Sequence, residues 1–195
     1  MAETLGPQTE LSAVNELLLA IGEQVIASLA GTLPPDANTA LVLLRSTSRD
    51  LQEEGWQFNS DTEITIGIDG DGYIQLPSDA LRVDNEGAIN TAWRDGRLYD
   101  LDDNTFVFTE ALECSIVRHF AFADLPPVAR RYVVLLTLEK LMAIFPASDP
   151  QMAARTMQIA VGRAKAAFLE AEIENGDYNA LSGSLHVSSI LRRGA

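Results

Sequence analysis

The feature that most constrains this chain is a double change of period. In two segments, from Glu10 to about Ile21 and from Asp36 to about Glu54, the apolar residues recur at spacings of three and four. From Trp56 to about Phe122 they fall instead in short runs between turns, and beyond Pro126 the helical spacing returns. Each amphipathic helix has a stripe to bury and needs a partner. The helices from the two ends are therefore expected to pack on one another, with the middle projecting from them.

Local signals place the helices. Thr9 can cap a first helix to about Ile21, with Leu11, Val14, Leu18 and Ile21 on one face and Gly22 as the stop. After Leu33-Pro34-Pro35, Asp36 opens a second helix to about Glu54, with Ala37, Leu41, Leu44, Ser48 and Leu51 in line and Gly55 behind it. Pro126-Pro127 starts a third helix to about Phe145, apolar nearly all round and so expected to be buried. Asp149-Pro150 starts a fourth to about Asn175, rich in alanine and able to approach a neighbour closely.

The middle reads as strands at Glu63–Ile68, Tyr73–Leu76, Leu81–Val83, Ala88–Trp93, Arg97–Leu101, Thr105–Phe108 and Cys114–Phe120. The expected fold is α+β. An antiparallel helical bundle is formed by the N- and C-terminal helices (1–55 and 123–176). A small antiparallel β module, barrel or sandwich, is inserted at 56–122, and an extended C-terminal arm follows at 177–195.

Charge narrows the function. The 195 residues carry a net charge of −14, against a phosphate-tracking nucleic-acid binder or docking on anionic lipid. Residues 56–110 hold twelve acidic and three basic side chains, most of that imbalance. The plain reading is solvated strand edges and turns; the sharper one is a surface that repels DNA. Cys114 is the lone cysteine, which forbids an intrachain disulfide and favours a reducing compartment. The N-terminal MAETLGPQTE is acidic without an apolar core, so no signal peptide is expected, and no apolar run is long enough to span a bilayer.

One motif invites a metal. Asp69-Gly70-Asp71-Gly72 resembles the middle of an EF-hand, with Asp69, Asp71 and Gly72 at the third, fifth and sixth positions. The first position then falls on Gly67 and the twelfth on Ser78, neither able to supply its carboxylate. The flanks read as strand, so a tight β-hairpin turn is the better reading and a calcium-dependent binding module the alternative. Asp95-Gly96 is a second such turn.

Catalytic patterns are sparse. His119, on an expected strand beside Phe120, and His186, near the C-terminus, belong to no motif, and Cys114 lacks neighbours that would activate it. An enzyme using His119 with a neighbouring carboxylate is the second rival. No phosphate-binding glycine loop, HExxH or GxSxG occurs. Neither catalytic nor metal residues are assigned. Trp56 and Phe58 are expected to lock the module onto the bundle. In the arm, Leu185, Val187, Ile190 and Leu191 precede Arg192-Arg193, a mix able to order on a partner; the plain alternative is a frayed tail.

Several segments together resemble a known family. They are Glu10–Asn15 with Ile21-Gly22-Glu23, Gly55–Asn59, Leu76–Leu81, Asp95–Asp100, Pro126–Tyr132 and Gly176–Asn179. Their order is similar to that of the tail tubular protein A family of short-tailed bacteriophages, the head-to-tail adaptors or gatekeepers. The resemblance implies a virion structural protein without enzyme activity or cofactor. It would be made in the host bacterial cytoplasm and placed at the head-to-tail interface. It implies a twelve-subunit ring joining the portal protein to the tail nozzle protein, often supporting tail fibres. The ring would line the DNA exit channel without binding DNA specifically, and no membrane is involved. On that basis Leu185 to Arg193 are expected to meet the portal. Asp69–Gly72 and Asp95-Gly96 are expected to face the nozzle, the fibres or the next subunit.

Overall fold

The computed structural model describes residues 8–146 and 149–175. The arm at 177–195, with Leu185, His186, Val187, Ile190, Leu191, Arg192 and Arg193, lies outside the described residues. In chain order the elements are α1 (Glu10–Ala20), α2 (Pro35–Glu53), β1 (Ser60–Ile66), β2 (Ala80–Asn85), β3 (Thr91–Arg94), β4 (Arg97–Asp100), β5 (Leu112–Arg118), α3 (Pro127–Ile144) and α4 (Pro150–Asn175). The fold is α+β, with four helices and antiparallel sheets.

The helix ends fall where the punctuation puts them. The Thr9 hydroxyl accepts from the Ser12 N–H at 3.1 Å, and the Ser12 hydroxyl accepts from the Thr9 N–H at 2.9 Å, a reciprocal cap. Gly22 and Gly55 take positive φ just past α1 and α2. The buried face of α2 contains all five expected residues and adds Ala40, Thr47 and Gln52. On α1 the stripe is displaced. Ala13, Val14, Leu17 and Leu18 are buried, while Leu11 and Ile21 are half-buried, because α1 packs on both α2 and α3.

α3 is the centre of the bundle. It packs against α1, α2 and α4, and buries Val133, Val134, Thr137 and Leu141. Its buried Arg130 is held by backbone carbonyls, donating to Leu125 and to Gln8 at 2.8 Å each. Among the described residues one buried side-chain polar atom has no partner, the Thr47 hydroxyl. An unpaired buried hydroxyl costs roughly 1–3 kcal/mol. Thr47→Val is therefore expected to raise stability by about 1 kcal/mol, measured as a higher urea midpoint at unchanged slope.

The middle forms two sheets. In the first, β5 is central, antiparallel to β1 on one side and β2 on the other. In the second, β3 and β4 form a hairpin turning through Asp95 (φ 50°) and Gly96 (φ 74°). Paired positive φ values suit the strand twist, which explains Asp-Gly here. Ile74, Leu98, Phe108, Leu112 and Cys114 make a core separate from that of the bundle. Burial pushes the Cys114 thiol above its ordinary pKa, with Glu86 and Asp84 adding to the effect, so it is a packed, unreactive thiol.

Three expectations need correction. Tyr73–Leu76 and Thr105–Phe108 are not strands; they contribute single bridges, Tyr73 to Val107, Gln75 to Arg97 and Thr105 to Asp100. The Asp69–Gly72 turn is consequently no hairpin between paired strands, because β1 takes β5 as its partner. His119 lies one residue past β5 rather than on it, exposed, with its N–H donating to the Asp79 carbonyl at 2.7 Å.

Candidate assembly surfaces

The passage between helices and sheets is built by two amides that carry no motif. Gln52, fully buried at the end of α2, donates to the Phe120 carbonyl at 3.1 Å and accepts from the Phe120 N–H at 2.7 Å. Asn59 donates to the carbonyls of Gln52 (2.9 Å) and Arg118 (2.8 Å) and accepts from the Trp56 N–H (2.8 Å). The chain thus leaves α2 and re-enters toward α3 through one hydrogen-bonded knot.

Trp56 and Phe58 sit beside that knot. The Trp56 indole N–H donates to the Leu51 carbonyl at 2.7 Å, and its ring meets Phe168 of α4 edge-on, centroids 4.7 Å apart. Phe58 meets the same ring at 6.3 Å and Tyr132 of α3 stacks on it at 5.6 Å. The two aromatics named from sequence are brought together, with Phe168 as the hub. Sequence reasoning placed Asn59 in the junction segment without giving it a role, and missed Phe168 and Gln52; a glutamine on the inner stripe of α2, four residues after Ser48, was the available signal for Gln52.

Arg118 ties the module's own edges, pairing with Asp61 at 2.5 Å and Asp79 at 3.1 Å. Such half-exposed pairs contribute little individually, but here they bracket both neighbours of β5.

The Asp69–Gly72 turn is held by its first carboxylate. Asp69 Oδ1 accepts from the N–H groups of Asp71 (3.0 Å) and Tyr73 (2.9 Å), and Oδ2 accepts from the Gln75 amide at 3.0 Å. Both oxygens therefore face donors within the loop, the opposite of a cation site. Among the described residues no group of three or more His, Cys, Asp or Glu is placed to hold a metal ion. Gly72 has φ +83°, and a Cβ there would lie 3.0 Å from Val107, so glycine is required on two counts.

The Gln75 amide, then the Tyr73 N–H, hold the Asp69 carboxyl below its ordinary value. A depressed folded pKa contributes stability above the unfolded value and loses it as pH falls through the folded one. The turn is expected to hold at neutral pH and loosen only in acid, below about pH 3.9. The Gln75 side-chain amide resonances, followed through an acid titration, check this.

The second turn, Asp95-Gly96, is exposed at the hairpin tip, with open space around Gly96. His119 borders a cleft of about 320 Å³ that also touches Glu10, Arg45 and Phe122. The Glu10 carboxylate there is engaged by Arg45 at 2.7 and 3.0 Å, and the His119 imidazole has no hydrogen bond among the described residues. That geometry gives His119 no acid or base partner. No helix among the described residues is long and apolar enough to cross a membrane.

Surfaces, turns and a structural knot are what the described residues present. A family model described as tail tubular protein matches residues 11–178. The chain belongs to the tail tubular protein family. Tail tubular protein A of Klebsiella phage KP34 is 33% identical over 129 residues, covering 66% of this chain and 68% of that relative. The match spans all four helices and both sheets of this tail tubular protein, so the bundle and the inserted module are both part of the family pattern. As a tail tubular protein it is a structural component of a phage tail.

Proposed function

We propose that this protein is the head-to-tail adaptor of a tailed bacteriophage, a ring between the portal and the tail nozzle that lines the DNA exit channel. The family match over residues 11–178 carries this reading. Twelve copies are expected, with no catalytic role, and the module turns at Asp69–Gly72 and Asp95-Gly96 meet the nozzle, the fibres or the next subunit. Residues 185–193 meet the portal through Leu185, Val187, Ile190 and Leu191, backed by Arg192 and Arg193.

Charge supports the channel. The module concentrates most of the net charge of −14, and a wall of like sign suppresses phosphate contacts while DNA slides past. The purified protein is expected not to retard duplex DNA in a gel even at roughly 20 mM salt, where phosphate binding is strongest. Retardation there would count against a passive channel.

The direct test is mass by light scattering, alone and with the portal. Twelve copies per portal support the adaptor; a chain that stays monomeric and ignores the portal sinks it. Deleting residues 180–195 is expected to abolish portal binding, and unchanged binding would remove the arm from the account.

A further inference from the structure

α4 has two faces, and its own bundle covers one. Ala153, Met157, Ala160, Val161, Ala164 and Phe168 turn toward the bundle. On the opposite face Met152, Ile159, Ala166 and Ile173 repeat every seven residues, with Leu169 beside them. Met152 is 62% exposed, Ile159 58% and Ile173 64%. Scattered exposed apolar residues need no explanation, but a row of them aligned over about 32 Å of one helix face marks a contact surface. Gly162, within the stripe, has nothing within 4 Å of where a Cβ would stand, so the face is open there.

The far side of the bundle carries a counterpart. A cleft of about 300 Å³ between the end of α1 and the start of α2 is walled by Leu18, Val25, Ile26 and Ala37 and bears Glu23 and Asp36. Its acids make no ion pair among the described residues, and neither do Arg155, Arg163 and Lys165 of α4. The first sixteen residues of α4 contain three basic side chains and no acidic one. Stripe and cleft therefore match in both apolar character and charge.

Their placement also matches. α3 packs against α1, α2 and α4 alike, so it stands between the stripe and the cleft. α2 ends and α3 begins beside the module, through Gln52 and Phe120, and the end of α4 reaches the same level through Glu172, which accepts from the Gln57 N–H at 2.6 Å. The start of α2 and the start of α4 consequently both lie toward the end of the bundle away from the module.

We propose that the outer face of α4 is the surface by which one copy packs into the α1–α2 cleft of the next. This rests on the ring reading above. It is a head-to-tail contact between two different patches, the kind that closes into a ring when each copy is rotated from the last.

The test is light scattering of the full chain, alone and with the portal, in whichever state the unaltered chain forms its ring. Ile159→Asp with Ile173→Asp changes only exposed positions, so helix content by circular dichroism and melting temperature are expected to stay the same. The ring is expected to be lost to the 21.2 kDa monomer. A second variant, Arg155→Glu with Arg163→Glu, is expected to break the ring, and adding Glu23→Lys with Asp36→Lys to restore it. A full ring from the Asp variant overturns the inference and leaves the ring reading intact. So does a ring that forms but no longer holds the portal, since the portal would then be the occupant. Failure of the reversed charges to restore the ring rules out the cleft as the acceptor. An unaltered chain that forms no ring in either state removes both readings.

Discussion

Replacing Phe168 with alanine is expected to lower stability by about 3–5 kcal/mol, the range for truncating a fully buried aromatic. Phe168 is 0% exposed, and it is the one fully buried side chain of α4 among the described residues. Its ring touches Trp56 and Phe58 of the junction and Tyr132 of α3. The rest of the inner face of α4 is small or half-buried, so little remains to hold the helix once that ring is gone. At roughly 2–4 °C per kcal/mol for a chain of this size, the melting temperature is expected to fall by about 10 °C. Trp56 fluorescence should change in the same transition, since its indole rests on the ring. Phe168→Leu should recover most of the loss. A change below about 1 kcal/mol for alanine would mean that α4 is held by something other than this cluster.

The second large effect is expected at Gln52. Gln52→Leu keeps the size but removes both hydrogen bonds to Phe120. The N–H and carbonyl of Phe120 are left without their partners where water has poor access, at a cost of roughly 1–3 kcal/mol each. Hydrogen exchange should show the Phe120 amide losing protection, along with the Trp56 amide that donates to Asn59. Because Asn59 donates to the carbonyl of Gln52 itself, Gln52→Leu and Asn59→Leu share one network. Their combined cost is expected to be less than the sum of the two measured alone. Strict additivity would show that the amides act independently.

Helix boundaries were legible in the sequence because single residues set them. Thr9, Gly22, Gly55, Pro127 and Pro150 each stop or start a helix for a backbone reason that holds without tertiary context, and α2 starts at Pro35, one residue before the expected Asp36. The Asp95-Gly96 hairpin was legible for the same reason. Tyr73–Leu76 and Thr105–Phe108 misled, because an alternating run says a segment could be extended and not which neighbour will pair with it. β5 takes β1 and β2, leaving those runs with isolated bridges. The junction was half legible. Trp56 and Phe58 are conspicuous, whereas Gln52 and Asn59 resemble surface residues until α2 and the end of β5 are known to meet. The alanines of α4 suggested close approach to a neighbour. Ala154, Ala166 and Ala167 instead face outward, which one chain's sequence could not distinguish from inward.

The insertion of the sheets between α2 and α3 also sets an order of events during synthesis. Residues 54–126 separate the two helices. At roughly 5–20 residues per second the ribosome takes on the order of 4–15 s to make them. During that time α1 and α2 have emerged without α3, the helix that covers their apolar faces. The strands have all their own partners by Arg118, so the module can complete its core first. The bundle closes last, around a helix that arrives late. A nascent chain therefore carries the α1–α2 cleft well before it carries α4.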